Sequence, residues 1–402
     1  MEVLYLPVSL SIRGFAHNYK SEVLISLKGY DSFTKNNESV ITVMTNQYTI
    51  QGDTIPLHDL RELWTGSQNL KLGEDRVELI AASARSVAGK IESGERMYGV
   101  NTGYGSLSTT TIAGDQMLEL QRRVVLSCAT GTGKPFEDAT VRLAMLLKIN
   151  SLSMGLSGVR QDLVDALITL FNAAAYPVVP SQGSVGASGD LAPLGHLSCA
   201  LLGIGSIRIQ GEIVPAEEGL RRVGLSPIQF HLKEGLAMLN GTQFSTALAL
   251  EGLFATEKLY AAAVSTGALT LEAARGSHTP FDARIHAARR QQGQIKTAKV
   301  FRHLFEGGED RQTYAGKQDP YSLRCQPQIL GACLDNITHA AGILESEANA
   351  VTDNPINIAS DEVMLSGGNF HAEPVAMAAD ILALAIAEIG ALSERRIAYL
   401  VD

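Results

Sequence analysis

The tripeptide Ala187-Ser188-Gly189 holds atoms that can react with one another. Glycine has no side chain, so its amide nitrogen can approach a neighbouring carbonyl carbon that a Cβ atom would crowd. Attack of the Gly189 nitrogen on the Ala187 carbonyl, with loss of water, would close a five-membered imidazolone ring. Loss of a second water from Ser188 would leave an exocyclic methylene. That methylene is an electrophile, a type of group that ordinary side chains lack and that normally comes from a cofactor.

The residues around this reactive tripeptide favour the reaction. Most Ala-Ser-Gly triplets are only turns before a helix, and alone this one would be read the same way. Here Gly183 and Gly186 permit a tight backbone, and Asp190 stands where it can cap the apolar helix that follows. The positive end of that helix dipole would then face charge that develops on the ring.

A second glycine-rich segment, Tyr98-Gly-Val-Asn-Thr-Gly-Tyr-Gly105, is too rich in glycine for a stable helix or strand. It predicts a mobile loop that can cover a site. A tyrosine on such a loop acts as a base only if its neighbours bring its pKa well below ~10. On the residues alone, Tyr98 is also explained as an aromatic anchor of the loop.

The segment Gln318-Asp-Pro-Tyr-Ser-Leu-Arg-Cys-Gln-Pro-Gln328 combines amides, a phenol and a guanidinium. Tyr321 and Arg324 are three positions apart, so they share a face if the segment is helical. The planar fork of an arginine suits a carboxylate, such as that of an amino acid. Pairing of Arg324 with a structural acid is the alternative. Two further residues have ordinary explanations when taken alone, Asn240 as a helix interruption and Phe370 as a core aromatic.

Taken together, these segments resemble the aromatic amino acid ammonia-lyases, which include the histidine, phenylalanine and tyrosine enzymes. The resemblance covers roughly residues 44 to 402. It implies an ammonia-lyase helical fold, a homotetramer whose sites are shared between subunits, and a methylidene-imidazolone (MIO) group formed from Ala187, Ser188 and Gly189. It also implies catalytic roles for Tyr98, Asn240 and Tyr321, with Tyr98 as the base. The substrate-binding residues that it implies are Cys128, Gln318, Arg324 and Phe370.

The choice of substrate is the open part of this resemblance. The segments 319–328 and 369–374 match the histidine branch better than the plant-type phenylalanine branch, which predicts elimination of ammonia from histidine to give urocanate. However, Leu126-Ser-Cys-Ala-Thr-Gly131 has Cys128 where histidine lyases carry a histidine, and a thiol is a weak hydrogen-bond donor. Three alternatives therefore stay open: a tyrosine or phenylalanine ammonia-lyase, an MIO aminomutase, and an inactive, truncated lyase-fold subunit with an assembly role.

Composition limits the partners. The chain has 402 residues, 45% of them hydrophobic and 19% charged, which predicts a large core and helix faces buried against other subunits. The net charge of −9 argues against a nucleic-acid partner, which needs a basic face. The four cysteines lack CxxC spacing and predict reduced thiols in the cytoplasm and no metal site. The apolar stretch 375–392 carries Asp380 and Glu388, so we expect a packed helix and no membrane span.

Helical periodicity dominates from residue 76 onward and predicts an all-α protein of long bundled helices with glycine-rich loops and minor β-structure. We expect a small or poorly ordered extension at 1–43, an amino-terminal lyase region at 44–230, and a long-helix bundle at 231–402. One strand pair is predicted at Ile207–Val214, with Gly211 at its turn. The pattern is still helical at the last residue, and family members continue past this point, so the chain is expected to be truncated.

Overall fold

The computed structural model describes residues 47–66, 68–97, 99–103, 112, 116–308 and 318–401. The predicted extension at 1–43 lies outside these residues. Within them, the chain is mainly helical with short strands, so the predicted all-α class is confirmed.

The described residues form fourteen α-helices. In chain order they are α1 (Leu57–Thr65), α2 (Glu74–Glu92), α3 (Met117–Cys128), α4 (Asp138–Ser153), α5 (Gln161–Asn172), α6 (Leu191–Leu201), α7 (Ala216–Arg222), α8 (Glu234–Leu239), α9 (Gln243–Ala273), α10 (Ala283–Arg289), α11 (Gln292–Leu304), α12 (Tyr321–Arg324), α13 (Gln326–Ala348) and α14 (Glu373–Val401).

Nine short strands connect these helices. They are β1 (Gln47–Ile50), β2 (Asn69–Leu72), β3 (Thr132–Pro135), β4 (Ala175–Pro177), β5 (Pro180–Gln182), β6 (Ser206–Ile209), β7 (Glu212–Pro215), β8 (Ile356–Ile358) and β9 (Val363–Leu365). β1 and β2 pair in parallel, whereas the other pairs, β3 with β5, β4 with β6, β6 with β7, and β8 with β9, are antiparallel.

The long helices α9, α13 and α14 pack against one another, and α4 packs against α9. The buried residues of α14, Val375, Ala378, Leu382 and Ala385, recur at the three- and four-residue spacing of one helix face. In α4, by contrast, every residue from Thr140 to Ser153 is buried. Because α4 lies at the centre, any polar side chain on it must find a partner inside the protein.

One hydrophobic core extends from Ile50 to Leu392 and so includes residues on both sides of position 230. The division at 230/231 stays a prediction. Helices from the two sides also pack together, since α4 packs against α9 while α3 and α6 pack against α8. The reactive tripeptide therefore belongs to the same packed body as the central bundle.

Asn240, which the sequence alone explains as a helix interruption, lies at a break between α8 and α9. α8 ends at Leu239, Asn240 is extended, and Gly241 has a φ of 129°, a region that favours glycine. α9 then starts at Gln243. The interruption leaves backbone groups of Asn240 and Gly241 available to bond outside the helix.

The predicted strand pair is confirmed as β6 and β7. Ile207 faces Val214, and Gly211 at the turn has a φ of 83°. This positive φ fits the two-residue hairpin that joins strands of right-handed twist. β4 pairs with β6 and adds a third strand to this sheet.

α14 is the one helix in the described ranges that is long and apolar enough to cross a membrane. Core helices of soluble proteins can meet the same criteria, and one face of α14 packs against α9 and α13. Its exposed face is also apolar in part, since Leu384 is 73% exposed and Ile397 is 62% exposed.

Candidate active site

The reactive tripeptide lies between β5 and the start of α6. Ala187 and Ser188 are exposed, whereas Gly189 is buried and has a φ of 78°. A Cβ on Gly189 would lie 2.7 Å from the Gly241 carbonyl oxygen and 3.3 Å from that of Phe370. Only glycine fits this crowded, left-handed position. The tripeptide therefore fits a group whose formation requires a compressed backbone.

Two segments hold the loop from either side. The Asp190 N–H donates to the Gly241 carbonyl oxygen at 2.8 Å, and the Ala372 N–H donates to the Gly186 carbonyl oxygen at 3.1 Å. Within the loop, the Gly189 N–H bonds to the Gly186 carbonyl oxygen at 3.3 Å. These bonds place the reactive tripeptide between the turn after α8 and the residues just before α14.

Asp190 has a different role from the expected one. Its side chain makes no capping bond to α6. The carboxylate is fully buried and accepts hydrogen bonds from Ser184 Oγ at 2.6 Å, from Ser245 Oγ at 2.6 Å and from Ser245 N at 2.8 Å. Because Ser245 is in the first turn of α9, Asp190 satisfies a free amide at the start of that helix. The prediction of an α6 cap was wrong, because the partner of Asp190 is the start of α9, which is distant in sequence and cannot be identified from the residues around position 190.

Asn240 immediately precedes Gly241, whose carbonyl oxygen contacts the loop of the reactive tripeptide. Its Nδ2 donates to Asp353 Oδ1 at 3.2 Å and to the Asn354 carbonyl oxygen at 2.6 Å. Asp353 also forms a buried ion pair with Lys233. The orientation of the Asn240 amide is therefore fixed by Asp353 and Asn354, and Asp353 is in turn held by Lys233.

Tyr98 lies outside the described residues, but its flanks are described. The Asn101 side chain accepts from the Met97 N–H at 2.7 Å and donates to the Glu95 carbonyl oxygen at 2.6 Å. On the other side, Gln121 Nε2 donates to the Gly99 carbonyl oxygen at 2.9 Å. Both ends of the short stretch around position 98 are thus held by side-chain amides.

Cys128 is the last residue of α3 and is half-buried, and burial raises the pKa of its thiol. The residues after it reach the reactive loop, because Gly131 N donates to His196 Nε2 at 3.0 Å. A Cβ on Gly183 would also meet the Gly131 Cα at 3.1 Å. The corner that follows Cys128 therefore packs against the start of the loop, and the thiol itself is neutral at neutral pH.

Tyr321 and Arg324 share a face of α12, as their spacing predicted. The guanidinium carbon of Arg324 lies 4.8 Å from the centre of the Tyr321 ring, and Arg324 Nε donates to the Asp319 carbonyl oxygen at 2.9 Å. Among the described residues, no acidic side chain pairs with Arg324. Its fork is thus positioned by a ring and a backbone carbonyl, which leaves it suited to an external carboxylate.

The predicted site residues fall into two groups. Ala187 lines a cavity of about 850 Å³ together with Asp190, Phe244 and His371. Gln318 and Arg324 line a separate cavity of about 280 Å³. The structure therefore brings Gly189, the 240–241 turn and Phe370 together, whereas Arg324 lines the other of these two cavities.

No group of three or more His, Cys, Asp or Glu side chains in the described ranges is arranged to hold a metal ion. His371 and Glu373, which stand close in sequence, interact through the Glu373 N–H and His371 Nδ1 at 3.3 Å. The prediction of a metal-free site stays a prediction.

Known proteins share both the sequence and the fold. The family model for aromatic amino acid lyases matches residues 55–402. A histidine ammonia-lyase from Idiomarina loihiensis is 55% identical over 361 residues, which are 89% of this chain and 71% of the relative. The crystal structure of histidine ammonia-lyase from Trypanosoma cruzi superposes with a TM-score of 0.80 at 33% identity, covering 87% of this chain and 67% of that one. Phenylalanine aminomutase from Pantoea agglomerans gives a TM-score of 0.82 at 28% identity, with coverages of 88% and 72%. This chain belongs to the aromatic amino acid lyase family.

Proposed function

We propose that the protein is a histidine ammonia-lyase, a carbon–nitrogen lyase that eliminates ammonia from L-histidine to give urocanate. The observation that carries the proposal is the crowded position of Gly189, where a Cβ would lie 2.7 Å from the Gly241 carbonyl oxygen. A backbone this compressed suits the closure of a ring between Ala187 and Gly189. The similarity to curated histidine ammonia-lyases supports the choice of substrate.

The cofactor of this proposal is the MIO group, made from Ala187, Ser188 and Gly189. It would supply an electrophile that makes the amine of an amino acid a workable leaving group. The chain's own residues hold its backbone, since Gly241 and Phe370 confine Gly189 while Asp190 and Ala372 bond to the loop.

The remaining residues take complementary roles in the proposal. The Arg324 fork binds the substrate carboxylate, with Tyr321 and Gln318 beside it. Tyr98 removes the β-proton, and Asn240 orients the groups next to the ring. Phe370, whose carbonyl oxygen confines Gly189, lies beside the reactive tripeptide in this proposal, and Cys128 borders the pocket for the substrate side chain.

A complete site needs more than one copy of the chain. The reactive tripeptide and Arg324 line different cavities of one chain, so we propose that the carboxylate clamp of one subunit serves the electrophile of another. Exposed apolar side chains on the long helices, such as Leu269 at 68% and Leu384 at 73%, offer surfaces for association. We therefore propose a homotetramer in the cytoplasm, with sites shared between subunits.

Ammonia release tests the proposal. Purified protein is given histidine, tyrosine and phenylalanine separately, with Ser188→Ala as the blank because that variant lacks the hydroxyl needed for the methylene. Release from histidine that disappears in the blank supports the proposal. Release only from tyrosine or phenylalanine would move the assignment to that substrate, and silence with all three would refute the lyase.

The second candidate is a lyase or aminomutase for another aromatic amino acid. The observation that favours it is Cys128, a neutral, half-buried thiol that offers an imidazole only a weak hydrogen bond. Product analysis separates the two activities, because an aminomutase yields a β-amino acid where a lyase yields an unsaturated acid and free ammonia. A chain that forms no ring and releases no ammonia would match the inactive, assembly-only subunit.

A further inference from the structure

Lys148 is a lysine at the centre of the protein. It lies in α4, where the residues around it are buried, and its own side chain is 1% exposed. Its sequence surroundings, Leu-Ala-Met-Leu-Leu-Lys-Ile-Asn, are those of a core helix. Lysine is almost never fully buried without partners, so its contacts should explain its presence.

The contacts of Lys148 lie beneath the reactive tripeptide. Nζ donates to the Ala237 carbonyl oxygen at 2.9 Å and to the Asn240 carbonyl oxygen at 2.6 Å. Both carbonyls belong to the carboxyl end of α8, whose last carbonyls have no partner within the helix. The lysine thus fixes the backbone of the turn that follows α8.

The same turn limits the space of the reactive tripeptide on its other side. In the peptide bond that joins Asn240 to Gly241, the carbonyl oxygen accepts a hydrogen bond from Lys148 Nζ. The next carbonyl, that of Gly241, accepts the Asp190 N–H and lies 2.7 Å from the Cβ position of Gly189. Lys148 is therefore connected to Gly189 through one short stretch of backbone.

Resting on the proposed function, we propose that Lys148 is a positioning residue for formation of the MIO group. It holds the 240–241 turn against Gly189 and so maintains the compression that brings the Gly189 nitrogen towards the Ala187 carbonyl. Without Lys148, two buried carbonyls lose their partner and the turn is free to move away from the loop. Ring closure should be sensitive to this movement, because a displacement of about 1 Å in a reacting group can cost about a hundredfold in rate.

The test measures ring formation directly. Wild-type, Lys148→Met and Lys148→Arg chains are made by cell-free synthesis, and their intact mass is followed over time, since the finished ring is lighter by two waters. We expect Lys148→Met to form the ring about a hundredfold more slowly than wild type. Lys148→Arg keeps nitrogen donors and should recover part of the lost rate.

Arg142→Met is the matched control. Arg142 is another buried basic residue of α4, but it donates to the carbonyl oxygens of Leu63, Phe171 and Gln68 and to the Tyr176 hydroxyl, and not to the 240–241 turn. We expect this variant to lose stability and still form the ring at the wild-type rate. Circular dichroism confirms that each variant is helical before its mass is interpreted.

The outcomes separate the inference from the proposed function. A folded Lys148→Met chain that loses two waters at the wild-type rate would overturn the inference alone, as would equal slowing by Arg142→Met. A wild-type chain that keeps its full mass would overturn both the inference and the lyase. If Lys148→Met does not fold, Lys148→Gln is measured instead, and the same rates decide.

Discussion

Replacing Asp190 with asparagine should destabilise the protein although the side chains have the same shape. The buried carboxylate accepts three hydrogen bonds, two from the hydroxyls of Ser184 and Ser245 and one from the Ser245 N–H. An asparagine has one carbonyl oxygen, so its NH₂ group must face at least one of these donors. The unmatched donor costs about 1–3 kcal/mol, and the bonds that remain lose the strength given by the charge. We expect a total loss of about 3 kcal/mol in the free energy of unfolding.

Urea unfolding followed by the helical circular dichroism signal measures this loss. All variants are compared at one protein concentration, because subunit association shifts the apparent stability. Ser184→Ala is the control, since it removes one donor and leaves the carboxylate with its other partners, which should cost about 1 kcal/mol. An Asp190→Asn variant as stable as Ser184→Ala would show that the buried carboxylate does not hold α9 to the loop.

Three further changes have defined outcomes. Arg324→Lys should raise KM for the substrate about tenfold or more with a smaller effect on kcat, because an ammonium cannot form two parallel hydrogen bonds with a carboxylate. An unchanged KM in steady-state kinetics would show that Arg324 does not bind the carboxylate. Cys128→His should raise the kcat/KM for histidine relative to tyrosine and phenylalanine by about tenfold, a change equal to ~1.4 kcal/mol, and an unchanged ratio in competition assays would exclude position 128 from specificity. Burial lowers the pKa of Lys148 from its ordinary 10.5 to about 7, with Asp353 and Asp190 opposing and Lys233 reinforcing the shift. Between pH 7 and pH 10.5 the unfolded chain binds a proton at Lys148 that the folded chain does not, so the free energy of unfolding rises with pH, by up to about 1.4 kcal/mol per pH unit. Unfolding measured at several pH values should show this slope in wild type and its loss in Lys148→Met.

The sequence predicted the helical class and much of the helix order because these depend on local periodicity. Long helices such as α9, α13 and α14 follow from the helical periodicity after residue 76, and the β6–β7 hairpin follows from its alternating residues and Gly211. Chemistry that depends on adjacent atoms could also be predicted, as the reactive tripeptide shows. These features are set by residues that are neighbours in the chain.

The layer beneath the loop could not be predicted in the same way. Lys148 contacts the end of α8, and Asp190 contacts the start of α9, so both depend on how distant helices meet. The signal available for Lys148 was a charged residue within the apolar part of a helix, which predicts a buried partner but does not identify it. The break at Asn240 had a clearer signal in the sequence, since the next residue is a glycine, which can adopt the positive φ observed there.

The crowding at Gly189 also has a consequence for when the reactive group can arise. The atoms that confine this glycine belong to Gly241 and Phe370, which follow it in the chain and are therefore synthesised after it. Until these later residues have been synthesised and have folded, the contacts that compress residues 187–189 are absent. The electrophile should consequently appear only in molecules whose fold is complete, and a nascent or misfolded chain would carry nothing that reacts with the thiols and amines of the cell.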